Sequence, residues 1–548
     1  MNGRVEYRGF RHPFLMGSYY VGGVGDLPRT VTDLAMSTYS AELRSKPMWW
    51  QEYCSKETRK KWRDEGLQNS WNIRTSLGLE TVDLSPKQID YVIGELAGYA
   101  ALIDHIHGCQ VSCFERIWES DCVPGMSHPE LFDRSSLDHL RSLARTSTRD
   151  GITDLIDPFL NALLFEKTPV YDIYRPGSLR RQPAPTYMRD YSVSTESAFL
   201  PTDFSVSATG RVEALSYINN LDPRQTTLYR GIELLLERSI PLFSHVLTDL
   251  HRNNPMYQRI KGSCRYTEWD EPEPPDHSDD EEGWAIYERD IRLWIMQRPI
   301  QLPDVPLGGY RGGLESRRQI VDLSGRTLQM VVHAYEICLT PSNPTYAGTP
   351  WRVAGMMNER IVACLFSYLS VENVTGSSIE FRMAVTSPSG FVPGDVGATT
   401  RTWAMKDGDP CHQYVGSKCI TPGLCVAFPN LYQHRQSALQ LLDPTKQGHQ
   451  RVIAFYLVDP DVNPVISTSR VPPQQISWIA AAAEESMDKR LPVEIIERIM
   501  DAVEGKMADV EADHYRERML AERDGFRKMN DQYHFCVPFD IWGSNSLH

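Results

Sequence analysis

Apolar residues recur along the chain in two rhythms, and the change from one to the other divides it. After Ser85-Pro86, a favourable helix start, Ile89, Val92, Ile93, Leu96, Tyr99 and Leu102 follow at helical spacing, which predicts an amphipathic helix running to about Gly108. Leu228, Ile232, Leu235, Ile240, Phe243 and Val246 predict a second helix over 225–250. Alternation over 211–218 looks like strand. From about 302 to 461 the pattern becomes short β-type runs at 328–339, 361–371, 378–386, 423–429 and 451–459, separated by Gly, Pro, Asn and Asp. Strands of that length and punctuation predict a sandwich or jelly roll rather than a parallel α/β sheet. Helical spacing returns with Leu491, Ile495, Ile496, Ile499 and Val503, and again over 511–529 with Leu520 on its inner side. Such a tail packs against the barrel or mediates a homodimer contact, and the pattern leaves both open.

The stretches outside these rhythms add less. Residues 1–85 mix aromatics, Gly and Pro, as in Tyr19-Tyr20 and Met48-Trp49-Trp50, and read as an arm packed against the rest; residues 174–185 are Pro-rich and basic. The acidic run over 268–282 has like charges without ligand spacing and reads as a solvated linker. His105 and His107 flank Ile106 at the predicted helix end, but alternate helical residues point about 200° apart and do not converge on a metal.

Composition narrows the class. The chain has 548 residues, with 57 Lys+Arg against 71 Asp+Glu, so its net charge of −14 has the wrong sign for a general nucleic-acid binder. At 41% apolar it can bury a large core. The N-terminus lacks an apolar signal run, and no stretch is long and apolar enough for a membrane helix, so a soluble, cytoplasmic protein is expected. Eleven cysteines without a CxxC pair signal neither a disulfide framework nor structural zinc; buried thiols are expected.

The informative segments are Leu339-Thr340-Pro341, Trp351-Arg352-Val353-Ala354-Gly355-Met356-Met357-Asn358-Glu359 and Ala427-Phe428-Pro429-Asn430-Leu431-Tyr432-Gln433-His434-Arg435. They are followed by Asp443-Pro444-Thr445-Lys446-Gln447-Gly448-His449-Gln450-Arg451, Leu457-Val458-Asp459-Pro460 and Val471-Pro472-Pro473-Gln474-Gln475. With Ser216-Tyr217-Ile218-Asn219-Asn220-Leu221 and the ending around 516–523, they resemble the fungal domain-of-unknown-function 4246 family over most of the chain. That family looks like a divergent branch of the Fe(II)/2-oxoglutarate oxygenases. The resemblance implies a double-stranded β-helix core, iron and 2-oxoglutarate as cofactors, and a setting in specialised metabolism. The family's usual pattern is Trp-His-Val-Glu-Gly. Residues at i and i+2 on a strand face the same way, so a His-x-Glu pair offers two ligands to one iron, and a distal His completes the set. His434 matches that distal position, and Arg451 is the expected clamp for the co-substrate carboxylate, although the family's residue falls at Gln450.

Arg352 and Ala354 occupy the two proximal-ligand positions, and neither side chain has a lone pair for a metal. An inward Arg352 about 4 Å from a divalent cation would cost roughly 8 kcal/mol at an effective dielectric of 20. Ala354 alone would suggest the halide-binding variant of the oxygenase class, but loss of the neighbouring His argues against it. The only His-x-acid pairs, His128-Pro129-Glu130 and His277-Ser278-Asp279, lie outside the expected barrel strands. Rescue ligands on paper are Glu359, Glu336, Cys338, His333 and Cys411-His412. The expectation is therefore an α+β protein with a double-stranded β-helix (jelly-roll, cupin-like) core over 205–475, a mostly helical region over 1–204 and C-terminal helices over 476–548. Arg352, His434 and Arg451 would face an anionic small molecule, an organic acid or amino-acid-like compound, with His434 as acid or base and as the one retained metal ligand. Chemistry would be non-oxidative or use an altered metal site. A pseudo-oxygenase that binds or scaffolds, and a working oxygenase with other ligands, are the competing readings.

Overall fold

The computed structural model describes residues 9–11, 13–14, 25–121, 134–142, 151–186, 191–267, 270–487 and 491–543. Helix α1 (Val31–Arg44) and α2 (Pro86–Ala101) open the chain, and α2 begins as expected: Ser85 and Gln88 form a reciprocal capping box with Pro86 in the first turn. It stops at Ala101, so His105 and His107 lie in the turn beyond. The predicted central helix is α3 (Thr226–Leu250). The acidic run does not stay a linker to its end, because the Asp280 side chain accepts from the Gly283 N–H and starts α4 (Glu281–Gln297), where acidic residues suit the positive helix end. The tail forms α5 (Asp509–Asn530).

Strands β1 (Cys109–Val111), β2 (Trp118–Asp121), β3 (Ile152–Ile156), β4 (Thr202–Val206) and β5 (Val212–Ala214) come from the first part of the chain. The later ones are β6 (Thr327–Leu339), β7 (Ile361–Glu372), β8 (Ser378–Ala384), β9 (His412–Cys419), β10 (Leu424–Pro429), β11 (Tyr432–Gln436) and β12 (Gly448–Val458). Nine of them make one sheet in the order β5-β4-β6-β12-β7-β10-β2-β1, with β3 beside β6, and β9-β8-β11 make a second. All these pairings are antiparallel, so the fold is mixed helix and antiparallel sheet. The large sheet crosses the expected boundary at residue 204: β4 straddles it, and β1, β2 and β3 come from the region expected to be mostly helical.

Strands β6 and β12 are buried almost throughout because both faces of the large sheet are covered. Alternation sends Met330, Val332, Ala334, Ile453, Phe455 and Leu457 toward α1, α2 and α3. It sends Val331, Tyr335, Ile337, Val452, Ala454 and Tyr456 toward the small sheet, where they meet Ile379, Phe381, Met383 and Tyr432. The candidate site lies at the edge of this second core. Among the described residues no helix is long and apolar enough to cross a membrane, and the cysteines are free thiols.

Candidate functional site

The segment after β6 returns along β11. The Arg352 N–H donates to the His434 carbonyl at 3.2 Å and the His434 N–H to the Arg352 carbonyl at 3.0 Å, so the two side chains stand as a directly paired couple. Buried Asn430 holds this geometry: its carboxamide accepts from Ala354 N at 2.8 Å and donates to the Ala354 and Ile361 carbonyls at 2.9 Å. Gly355 turns the chain at φ 67, and a Cβ there would meet Ile361 Cδ1 at 2.7 Å, so only glycine fits. Val353 packs with Phe14, Met356 and Phe526, and Arg352, Val353, Ala354 and Gly355 together line a cavity of about 300 Å³.

Within it His434 is 3% exposed, its ring 5.2 Å from Phe366 and 5.0 Å from Phe428, and its Nδ1 has no partner among the described residues. Burial first, and the Arg352 charge second, hold its pKa well below the ordinary histidine value. It is a neutral imidazole at neutral pH. Arg352 is half-buried and lines the cavity, where the charge of its guanidinium also bears on Tyr335, Cys364 and Tyr456. Among the described residues that guanidinium has no ion-pair or hydrogen-bond partner.

The opposite wall carries a hydrogen-bonded chain that crosses three strands. Asp154 on β3 accepts from Arg516 through Oδ2 at 2.8 Å and meets His333 Nε2 through Oδ1 at 2.8 Å, and His333 Nδ1 lies 3.3 Å from the Tyr456 hydroxyl. Burial pushes the Asp154 pKa up, but His333 and Arg516 outweigh it and leave the carboxylate below its usual range. Burial pushes the Tyr456 phenol up, so it keeps its proton. Helix α5 closes the cavity with Arg516, Leu520, Arg523, Arg527 and Asn530. Arg516 also pairs with Asp157 and Arg523 with Glu359, which fixes the helix to β3 and to the turn before β7. Asn530 is 1% exposed, and among the described residues neither atom of its carboxamide is partnered.

Arg352 and His434 therefore come together, and Arg451 does not join them. It is one residue out of phase with Val452, Ala454 and Tyr456, so strand alternation turns it to the opposite face of the large sheet, where its Nε donates to Glu336 at 2.8 Å. It is not a clamp in this cavity. Its neighbour Gln450 accepts from Ser377 Oγ at 2.5 Å and donates to Gln436 at 3.2 Å. Of the rescue ligands, Glu336 pairs with Arg451 and Arg141, Cys338 accepts from Arg141 Nη2, Glu359 pairs with Arg523, and His412 Nδ1 donates to the Phe535 carbonyl at 3.0 Å. Only His333 reaches the cavity. His277 and Asp279 are in an exposed segment before α4, and His128-Pro129-Glu130 lies outside the described residues.

The donor set does not fit the iron that the sequence resemblance implies. Among the described residues no three His, Cys, Asp or Glu side chains converge as a metal site, and both nitrogens of His333 already have partners. Asp154, Tyr456, Arg516 and Asn530 were not foreseen as site residues. A signal existed for the helix: positions 516, 520, 523, 527 and 530 repeat at three- and four-residue steps and share one face. For Asp154 and Tyr456 there was none beyond strand alternation.

Comparison with known proteins adds a family and weak likenesses among solved structures. The family described as a protein of unknown function (DUF4246) matches residues 86–482. Among solved structures, IDO from Bacillus thuringiensis aligns at 8% identity over 25% of this chain and 48% of its own, with a TM-score of 0.17. A bsmA homolog from Methylobium petroleophilum aligns at 11% identity over 33% of this chain and 52% of its own, TM-score 0.17. The Fe(II)/α-ketoglutarate-dependent dioxygenase TqaL aligns at 10% identity over 50% of this chain and 69% of its own, TM-score 0.23. The chain spans about half the length of the first two. No curated protein matches.

Proposed function

The chain belongs to the DUF4246 family, and from that premise we propose that it is a diverged oxygenase-like protein, its sheets derived from a double-stranded β-helix, that binds a small organic anion and acts on it without iron. Arg352 is the anchor. Its guanidinium takes a carboxylate bidentately, and neutral His434 beside it accepts a hydrogen bond without repelling the anion. Arg352 and Ala354 stand here in place of the family's proximal ligands, so charge that a metal would have supplied comes from the side chain. The observation that carries this reading is the guanidinium lining a cavity with no partner among the described residues, where a carboxylate would supply one. Chemistry would be non-oxidative. A binding protein without turnover is the second reading, favoured by the Asp154, His333 and Tyr456 chain already satisfying itself.

Calorimetry with butyrate, succinate and 2-oxoglutarate tests this, run anaerobically with Fe(II) and again with EDTA. Carboxylate binding indifferent to metal is expected. Near-stoichiometric iron displaced by Zn(II), with 2-oxoglutarate binding only when the metal is present, would overturn it in favour of a working oxygenase.

A further inference from the structure

We propose that Tyr456, His333 and Asp154 form a proton relay, so that the cavity catalyses removal and return of a proton on a carbon next to the ketone of an oxo-acid anchored by Arg352. This deepens the reading of Arg352 as an anion anchor and rests on it. The chain has the parts that acid–base catalysis needs. Tyr456 presents a hydroxyl in the cavity wall, His333 Nδ1 is placed to accept its proton at 3.3 Å, and Asp154 at 2.8 Å from Nε2 selects the tautomer that leaves Nδ1 free to accept. Asp154 cannot turn away, because Arg516 holds its other oxygen at 2.8 Å. The Arg516 guanidinium also pairs with Asp157 and Glu517, which fixes it beside Asp154 and so fixes the carboxylate against His333.

In the step, the C–H bond beside the ketone breaks and its proton bonds to the Tyr456 oxygen as the tyrosine's own proton passes to His333 Nδ1. The electron pair moves through the new C=C bond onto the ketone oxygen, and the Arg352 charge stabilises the resulting enolate. Reversal returns a proton to carbon, so no oxidant, reductant or second substrate is consumed. The substrate class follows from acidity. A carboxylate alone leaves its C–H too weakly acidic for a tyrosine and histidine pair, whereas an adjacent ketone brings it into reach.

The experiment is exchange of the C3 protons of 2-oxobutyrate in D₂O, followed by proton NMR with the full-length protein. Binding is read separately by calorimetry. Wild type is expected to accelerate exchange at least roughly a hundredfold over buffer, the lower end for a positioned acid–base group. Tyr456→Phe should return exchange to the buffer rate. His333→Gln, which keeps size and polarity, should do the same, so the test survives if one variant misfolds. Asp154 is a positioning residue, and Asp154→Asn should reduce exchange and displace the pH profile of what remains. Bound 2-oxobutyrate that exchanges no faster than in buffer, or a folded Tyr456→Phe that exchanges like wild type, would overturn the relay while leaving Arg352 as the anchor. Binding of butyrate without binding of 2-oxobutyrate would do the same. If no carboxylate binds, the anion-site reading and the relay fall together.

Discussion

Replacing Arg352 by Met is the most incisive perturbation, because it should pull binding and stability in opposite directions. Methionine keeps the length and packing of the stem and removes only the charge. In the complex, a bidentate guanidinium–carboxylate contact at about 4 Å is worth at most about 4 kcal/mol at an effective dielectric of 20. Charge-assisted hydrogen bonds of 1.5–3 kcal/mol each give about the same figure. The affinity of Arg352→Met for butyrate should therefore fall by roughly a hundredfold to a thousandfold. Without ligand the sign reverses: the guanidinium has no partner among the described residues in a cavity it shares with Arg516, Arg523 and Arg527, so its removal should stabilise the free protein by about 1 kcal/mol. Urea denaturation with and without butyrate reads both effects, since ligand stabilisation scales with RT ln(1 + [L]/Kd). A third readout is independent of binding. Arg352 is the second cause, after burial, of the low His434 pKa, so in the variant the His434 ring proton should titrate at higher pH by NMR. A variant that is less stable than wild type and binds butyrate within about threefold of it would refute the reasoning.

Arg352→His with Ala354→Glu should place a His, a Glu and His434 on one side of the cavity, and the pair is expected to bind Co(II) with d–d absorption that wild type lacks; no uptake would mean that the wall has been remodelled beyond its ligands. Arg259 is wholly buried between Asp33, Glu95 and Glu115 at 3.2, 2.9 and 3.3 Å, and Arg259→Met should cost about 3–5 kcal/mol in urea unfolding because it strands Glu95 and leaves Arg29, among the described residues, as the one cation for Asp33 and Glu115. Stability should also fall on acidification. Burial, aided by Arg382 and Arg11 respectively, lowers His412 and His534 to about 4, and His434 is lowered too, while all three return to near 6.5 when unfolded. Below about pH 6 the unfolded chain therefore binds protons that the folded one does not, at roughly 1.4 kcal/mol per pH unit for each histidine. An unchanged urea midpoint between about pH 7.5 and 5 would contradict this.

What the sequence could determine is whatever depends on neighbours a few residues apart. Capping chemistry at Ser85, the four-residue steps of 225–250 and the turn-punctuated runs of 328–339 and 361–371 are local, and the elements appear where those patterns put them. The stretch from Trp351 to Gly355 and the matching His434 were legible for the same reason, as short motifs. Their pairing was not, because it depends on hydrogen bonds between residues 82 positions apart, 352 and 434. Arg451 shows how small the missing information can be. A one-residue difference in strand phase turns a side chain to the other face, and only the register of β12 against β6 and β7 decides whether 450 or 451 looks inward. Helix α4 was missed because its exposed apolar residues are scattered among charges, and Asp280, its cap, reads in sequence as one more acid of the run. Asp154, His333 and Tyr456 meet because β3 and β12 both pair with β6, and α5 is pinned over them by Arg516 and Arg523. Those are choices of tertiary packing among residues hundreds of positions apart, and no local propensity encodes them.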